Sequence, residues 1–274
     1  MNGFDSAIEL IIEKAKETEN IAAVDYVGED NLYYCGKCHT RKQTAIHLFD
    51  VTRIVPCICK CRADELKAEE EARKQREHFD KVMRMRSVGF PEKAMTTWTF
   101  ANDDGSNPKM SNAMRKFVDN FPTFQKEGKG LLLFGTVGTG KTFLAACVAN
   151  ALIDMGVPCL VSSFARIAEG KQEYYDNLNR FPLLVIDDLS AERKTEYMQE
   201  IVFNVIDARY RAKLPLIVTT NLTREELLHP SDLTYQRIFS RLFEMCTPIE
   251  VSGADRRQKA LREDIGKYKN LLEL

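Results

Sequence analysis

The feature that most constrains the fold of this chain is a glycine-rich loop between an apolar run and a helical segment. The loop at residues 135–142 reads GTVGTGKT, which matches the phosphate-binding pattern G-x-x-x-x-G-K-[ST]. Its glycines let the backbone wrap so that successive N–H groups point at phosphate oxygens, and the following helix adds the positive end of its dipole. Because residues 131–134 are apolar and residues 143–155 have a helical pattern, the sequence predicts a strand–loop–helix unit that binds a nucleotide.

Two residues of this loop have predicted individual roles in binding ATP and its Mg²⁺ ion. Lys141 supplies a mobile positive charge for the outer phosphates, and the Thr142 hydroxyl is a predicted Mg²⁺ ligand. The whole loop is predicted to contact the nucleotide, so the binding set is Gly135, Thr136, Val137, Gly138, Thr139, Gly140, Lys141 and Thr142. A chance glycine-rich turn is the alternative, and the flanking strand and helix argue against it.

Two carboxylates follow a second apolar run. Residues 183–188 read LLVIDD, and a carboxylate at the end of a buried strand is costly unless it meets a cation. Asp187 is therefore predicted to hold Mg²⁺, directly or through water. Asp188 is predicted to orient or deprotonate the water that attacks the γ-phosphate. The alternative interpretation is an Asp-Asp turn without a catalytic role.

A third predicted strand, at residues 216–220, is followed directly by Asn221. An amide at this point can hold the lytic water and sense the γ-phosphate, which is the role called sensor 1. The same Thr-Thr-Asn sequence can instead cap the helix that starts near Arg224. The position of Asn221 after the two earlier motifs favours the sensor.

Apolar strands alternate with helices from residue 113 onward. Strands are predicted near residues 131–134, 158–162, 183–186 and 216–219, with helices at 143–155 and 197–211. Continuous apolar strands that alternate with helices predict an α/β fold with a parallel sheet flanked by helices. The chain of 274 residues has room for a smaller second domain. We place the boundary near Gly89, with an N-terminal module at 1–88, which ends in a charged connecting helix at 62–85, and the nucleotide domain at 89–274.

Five of the eight cysteines crowd into the N-terminal module. A reducing compartment makes such a cluster a metal site rather than a set of disulfides, and two cysteine arms can complete the tetrahedron that Zn²⁺ requires. Four of five residues are predicted zinc ligands: Cys35, Cys38, Cys57, Cys59 and Cys61. The favoured set is Cys35, Cys38, Cys57 and Cys59, with Cys61 as substitute and His39 and His47 as further candidates. The zinc is predicted to be structural; a group of free thiols is the alternative.

Composition excludes several classes of protein. A formal net charge of -1 gives no global basic field for nucleic acid, so any DNA contact must be local. The first residues lack the basic and apolar regions of a secretory signal. The apolar runs are too short to span a bilayer. These features predict a cytoplasmic protein.

The order of these motifs, from about residue 89 to residue 257, resembles the DnaC/DnaI/IstB family of AAA+ ATPases. The most specific stretches are DDLSAE at 187–192, DARYR at 207–211, LPLIVTTNL at 214–222, SRL at 240–242 and GADRR at 253–257. The resemblance implies a AAA+ P-loop NTPase that hydrolyses ATP, preceded by a small zinc-binding domain. It also implies two arginine roles. Arg241 matches the arginine finger that reaches a neighbouring subunit's γ-phosphate, and Arg257 matches sensor 2, which acts on its own subunit's nucleotide. Arg237 and Arg256 are the alternatives nearby.

The same resemblance implies a function and partners. It points to a loader that assembles on the replicative DNA helicase and delivers it to single-stranded DNA. A finger that acts in trans requires self-association through ATP-bridged interfaces, and the N-terminal module resembles the part of loaders that grips the helicase. The alternatives are an ATPase helper of a DNA transposase, which shares the same core, and a zinc adaptor that does not hydrolyse ATP.

Overall fold

The described part of the chain forms two units that divide within one helix. The computed structural model describes residues 25–48, 51–169, 177–189, 195–230, 232–256, 265, 268–269 and 271–272. The first unit comprises residues up to 78 and the second begins at residue 79. The dividing helix is α1, Lys60–Gly89. The predicted boundary near Gly89 lies at the end of this helix, C-terminal to the division between the two units, and stays a prediction.

The first unit contains two small antiparallel pairs of strands. Strand β1, Tyr26–Val27, pairs with β2, Tyr33–Tyr34. Strand β3, Gln43–Leu48, pairs with β4, Val51–Pro56. The part of α1 in this unit is exposed and carries ion pairs along its surface, such as Lys74 with Glu70 at 2.8 Å. Its charged sequence therefore forms a solvated helix, as predicted.

The second unit is built on a parallel sheet, and the predicted α/β fold is confirmed. Within the described residues the sheet has the strand order β6-β7-β8-β5-β9, with every pair parallel. Its strands are β5, Gly130–Phe134; β6, Cys159–Ser163; β7, Leu183–Asp187; β8, Leu216–Thr220; and β9, Cys246–Glu250. Strand β9 lies at an edge and was absent from the predicted set.

Helices cover both faces of this sheet. They are α2, Pro108–Asp119; α3, Phe121–Glu127; α4, Lys141–Asp154; α5, Phe164–Glu169; α6, Glu196–Ala212; α7, Arg224–Leu228; and α8, Leu233–Met245. Along β5, Leu131 and Leu133 join one apolar core while Leu132 and Phe134 join the other. Burial on both faces explains why the strands read as continuous apolar runs rather than alternating ones.

The strand order places the functional side chains at one edge of the sheet. Strand β8 lies between β5 and β7, and Phe134 at the end of β5 is in register with Thr220 at the end of β8. Gly130 permits the close approach of these two strands, because a Cβ at that position would lie 1.9 Å from the Leu216 carbonyl oxygen. In open parallel sheets, ligands bind outside the carboxyl ends of the strands. The loop after β5 and the carboxylates after β7 share that edge.

Candidate nucleotide site and cysteine cluster

The loop that follows β5 has the backbone of a phosphate-binding loop. Gly135, Gly138 and Gly140 have φ values of 132°, 80° and 93°, which residues with a Cβ rarely adopt. Helix α4 then begins at Lys141. The Lys141 ammonium lies inside the loop and donates to the carbonyls of Gly135 at 2.8 Å and Thr136 at 2.7 Å. A buried lysine with helical N–H groups beside it forms a donor set that fits a polyphosphate.

The two carboxylates at the end of β7, Asp187 and Asp188, are bonded to the end of β8 through Thr219. The Thr219 hydroxyl donates to Asp187 Oδ1 at 2.7 Å and accepts from the Asp188 backbone N–H at 2.9 Å. The Asn221 amide donates to Asp188 Oδ1 at 3.3 Å. The structure therefore joins the aspartate pair Asp187 and Asp188, predicted at the end of one strand, with Asn221, predicted after another, in one hydrogen-bonded group.

The backbone of Asp188 is held in an uncommon conformation. Its φ is 58°, in the left-handed region that non-glycine residues seldom occupy. Two further bonds hold the segment, since the Leu189 N–H donates to the Thr219 carbonyl at 2.8 Å and the Thr220 hydroxyl donates to the Leu189 carbonyl at 2.6 Å. Thr219 and Thr220, which are both buried, escaped the sequence predictions because two threonines at the end of an apolar strand do not show which groups they will meet.

The predicted arginine finger is held within its own chain. Arg241, on α8, pairs with Asp207 on α6 at 2.9 Å, and its guanidinium carbon lies 4.3 Å from the centroid of the Phe203 ring. Asp207 is buried and also pairs with Arg211. Arg257, the predicted sensor 2, lies outside the described residues. Arg256 packs against the phosphate loop, where its backbone N–H donates to the Gly138 carbonyl at 2.9 Å.

A further buried arginine escaped the sequence predictions. Arg209 is fully buried and donates to the carbonyls of Leu178, Phe181, Pro182 and Pro215, which precede β7 and β8. Burial lowers the pKa of Arg209 to about 10. The guanidinium satisfies carbonyls at the amino-terminal edge of the sheet, opposite the phosphate loop, so its contribution is structural.

Four cysteines of the first unit form a compact group. The Sγ atoms of Cys35, Cys38, Cys59 and Cys61 all lie within 4.8 Å of one another. Cys61 lies 3.5 Å from Cys35 and 3.3 Å from Cys59 between Sγ atoms. Tetrahedral zinc with Zn–S bonds near 2.3 Å places its sulfurs about 3.8 Å apart. The group therefore fits zinc in ligand type, number and spacing.

The thiol pKa values in the group also fit a cation. The Thr40 hydroxyl and backbone N–H groups of Cys61 and Thr40 lower the pKa of Cys38 to about 5. Hydrogen bonding with Cys59 and the other thiols raises the pKa of Cys61 to about 12. A bound cation removes this opposition because its charge stabilises every thiolate at once.

Of the five candidate cysteines, the group contains Cys61, the predicted substitute, and leaves Cys57 outside. Cys57 follows β4, where its Sγ donates to the Arg41 carbonyl at 3.4 Å, and burial raises the pKa of this thiol. The chain then turns into α1, and the first helical turn brings Cys61 back to Cys59. The alternative ligands His39 and His47 bond instead to Tyr26 and Thr52.

Among the described residues, no helix is both long enough and apolar enough to cross a membrane.

The sequence and the structure of the chain are similar to those of several known proteins. Residues 59–264 match the family described as IstB-like ATP binding protein. The replicative helicase loader DnaI of Bacillus subtilis is 27% identical over 180 residues, which cover 58% of this chain and 58% of DnaI. The replicative helicase loader DnaC of Escherichia coli K12 is 27% identical over 142 residues, which cover 48% of this chain and 57% of DnaC. A crystal structure of the DnaC helicase loader superimposes with a TM-score of 0.50 at 26% identity, over 59% of this chain and 100% of that one. The chain spans somewhat more than half the length of the curated relatives it matches.

Proposed function

Since the chain belongs to the IstB-like ATP-binding family of AAA+ proteins, we propose that it hydrolyses ATP and loads the replicative DNA helicase onto single-stranded DNA. The observation that carries the proposal is the hydrogen-bonded group of Asp187, Asp188 and Asn221 at the edge where Lys141 closes the phosphate loop. A carboxylate and an amide placed together beside a phosphate loop support hydrolysis rather than passive nucleotide binding. The names of the two relatives, both replicative helicase loaders, supply the biological task.

The side chains divide the work at the nucleotide edge. Lys141 and the loop N–H groups would hold the phosphates, and Thr142 and Asp187 would hold Mg²⁺, which neutralises phosphate charge when bound. Asp188 would take the proton of the attacking water, and Asn221, which contacts Asp188, would orient that water. Thr219 keeps both aspartates at fixed positions because its hydroxyl bonds to each of them.

The assembly is part of the proposal. Arg241 would act on the nucleotide of a neighbouring subunit, as its match to the arginine finger implies, and would exchange Asp207 for a γ-phosphate. Arg211, which is exposed and also pairs with Asp207, would keep the buried Asp207 carboxylate paired during that exchange. Arg257 would act on the nucleotide of its own subunit.

The first unit would be the helicase-docking module, with Zn²⁺ bound by Cys35, Cys38, Cys59 and Cys61. The support is the geometry of the four thiols and the absence of a histidine or carboxylate base among the described residues of that group. A closed tetrahedron of four thiolates leaves no open position for substrate, so the metal would be structural. A cytoplasmic location stays a prediction.

The test measures hydrolysis and helicase contact on the full chain. We expect phosphate release from Mg-ATP, and co-elution of the chain with the replicative helicase of the same organism in size-exclusion chromatography. The Asp188→Asn variant should bind ATP and lose turnover. A wild-type chain that binds ATP without turnover, alone and with helicase and single-stranded DNA, would favour the non-hydrolysing adaptor.

The transposase helper is the second candidate because the matching family is described as IstB-like, but the names of the two relatives above favour the helicase loader. Helicase contact separates the candidates. A chain that hydrolyses ATP, is stimulated by double-stranded DNA and shows no affinity for the helicase would support the transposition role.

A further inference from the structure

A short segment near the end of the described chain, Asp255 and Arg256, packs against the phosphate loop. The Arg256 N–H donates to the Gly138 carbonyl at 2.9 Å. A Cβ on Gly138 would lie 1.9 Å from Asp255 Oδ1, and a Cβ on Gly140 would lie 3.1 Å from the Arg256 guanidinium carbon. These glycines therefore serve the approach of this segment as well as the curvature of the loop.

Among the described residues, the acidic partners of the Arg256 guanidinium lie at its Nη1 atom. Its Nη1 lies 3.4 Å from Asp103 Oδ1 and 3.3 Å from Asp104 Oδ1, and its carbon lies 5.8 Å from the centroid of the Phe143 ring. Its Nη2 is buried and has no hydrogen-bond partner within the described part of the chain. A buried guanidinium N–H without an acceptor is costly, and the adjacent phosphate loop is where a nucleotide brings acceptors.

Asp103 is itself fixed by its surroundings. Its side chain is 8% exposed and accepts a hydrogen bond from the buried Ser111 hydroxyl in α2. Asn107, which caps α2, donates to the Ser252 carbonyl at 3.0 Å. The loop before α2 and the segment with Arg256 are thus joined at two points, and Asp103 is the less exposed of the two carboxylates on Arg256.

We propose that Asp103 is a positioning residue that holds Arg256 on the phosphate loop, where the Arg256 guanidinium contacts the phosphates of bound nucleotide. The inference rests on the proposed ATP site and adds Arg256 to the cations already proposed there, Lys141 and Arg257. A guanidinium donates to two phosphate oxygens at once, and an arginine already held by a carboxylate loses less rotamer freedom when it binds. The chain of contacts runs from Ser111 through Asp103 to Arg256.

The test is equilibrium titration of the full chain with a fluorescent ATP analogue. Arg256→Gln should weaken ATP binding about tenfold, the effect of one charge-assisted contact. Asp103→Asn should weaken it about threefold to fivefold, because the arginine remains but is no longer held. The double variant should bind no more weakly than Arg256→Gln alone, since the two residues act through one contact. Asp103→Glu should recover part of the affinity lost in Asp103→Asn.

Matched controls are Arg84→Gln on the exposed face of α1 and Asp119→Asn at the end of α2, both expected to bind ATP within about twofold of wild type. If wild type and Lys141→Ala bind ATP equally, the proposed nucleotide site itself fails. If Lys141→Ala loses binding while Arg256→Gln retains it within twofold, this inference alone is overturned. Additive effects of Asp103→Asn and Arg256→Gln, or tighter binding by Asp103→Asn, would overturn the positioning role. A thermal melt of each variant without nucleotide shows whether the apo fold is equally stable.

Discussion

The cysteine cluster and the nucleotide edge are both built from a few polar residues, but different forces hold them in place. The nucleotide edge sits on strands whose side chains are almost completely buried on both faces. Within the described part of the first unit, the buried apolar residues are Leu32, Cys35 and Cys59. The β3–β4 hairpin there exposes Ile46, Val51 and Ile54. The second unit can therefore hold its site with hydrophobic burial, whereas the first needs another source of stability.

The comparison also separates the cysteines of the apolar core from Cys38 of the candidate metal group. Burial raises the pKa of Cys147 and of Cys246 to about 12, so these thiols stay protonated and serve as small apolar groups of the core. In the first unit, hydrogen bonds lower the pKa of Cys38 to about 5, which makes it a thiolate at neutral pH. Thiolate is the form that binds metal.

The largest expected effect comes from removing the metal. Structural zinc sites in small domains contribute about 10–16 kcal/mol of apparent binding energy, so a strong chelator should unfold the first unit and leave the second folded. Elemental analysis should find about one zinc per chain. Limited proteolysis should then cleave the first unit only after chelation, while ATP binding persists. Unfolding of both units together on chelation would contradict the view that only the first unit depends on metal for its stability.

Single cysteine variants sharpen the same point. Cys61→Ser should lose zinc, whereas Cys57→Ser should retain it, because the Cys57 thiol bonds to the Arg41 carbonyl outside the group. Zinc content is measured after gel filtration of each variant. The reverse result would restore the ligand set that contained Cys57.

The next effect concerns the buried ion pair of the second unit. Asp207→Asn should lower the free energy of unfolding of that unit by about 2–4 kcal/mol, because Arg241 and Arg211 lose a shared buried carboxylate. Asp154→Asn is the matched control. This variant breaks the ion pair between Asp154 and Arg86, whose charged atoms lie 2.6 Å apart, and the Asp154 side chain is 51% exposed. The loss in free energy of unfolding should therefore stay below about 1 kcal/mol. Urea unfolding checks both, and zinc content should not change in either.

Substitution of the phosphate-loop lysine is expected to lower the affinity for ATP and to leave the stability of the fold unchanged. Lys141→Ala should weaken ATP binding by about 10- to 100-fold, the value of one or two charge-assisted hydrogen bonds. Its fold should survive, since Lys141 contacts the carbonyls of its own loop rather than the apolar cores. Fluorescence titration measures affinity, and a thermal melt is the control. Unchanged affinity would contradict the assignment of the phosphate loop.

The sequence predicted the parts of the fold whose signal is local. Strands β5, β7 and β8 are buried on both faces, so their apolar runs stand out without knowledge of their neighbours. The edge strand β9 reads CTPIE, is mostly exposed and contains Pro248, so its pairing with β5 depends on the rest of the sheet. The family resemblance, which rested on the order of motifs, is confirmed by the match over residues 59–264.

At the site, motifs identified residues but could not supply their partners. Asp187, Asp188 and Asn221 were predicted individually, whereas Thr219, which links the two aspartates, became visible only when β8 was seen beside β7. The choice between Cys57 and Cys61 required knowing that α1 begins at Lys60. Arg256 reaches the phosphate loop from a point far along the chain, a contact that no sequence period encodes.

The smallest expected effect on stability tests whether Asn221 is a sensor or a helix cap. The structure gives the cap of α7 to Thr223, whose hydroxyl accepts from the Glu226 N–H while the Glu226 carboxylate accepts from the Thr223 N–H at 2.8 Å. Thr223→Ala should therefore cost about 1 kcal/mol of stability and leave ATP turnover close to wild type. Asn221→Ala should change stability by less than about 0.5 kcal/mol and reduce turnover about 100-fold, as loss of one oriented donor does elsewhere.

A pH titration completes this last test. The Thr223 N–H and the Thr223 hydroxyl, which donates to Glu226 Oε2 at 2.8 Å, lower the pKa of Glu226 below its ordinary value of 4.5. Thr223→Ala removes the hydroxyl contribution, which stabilises the fold above that pH and is lost as the pH falls through the lowered pKa. The difference in unfolding free energy between wild type and Thr223→Ala should then shrink below pH 4.5, while Asn221→Ala should follow wild type throughout. Equal loss of stability in both variants, with turnover unchanged in Asn221→Ala, would return Asn221 to the role of a cap. The catalytic proposal at this edge would then rest on Asp188 alone.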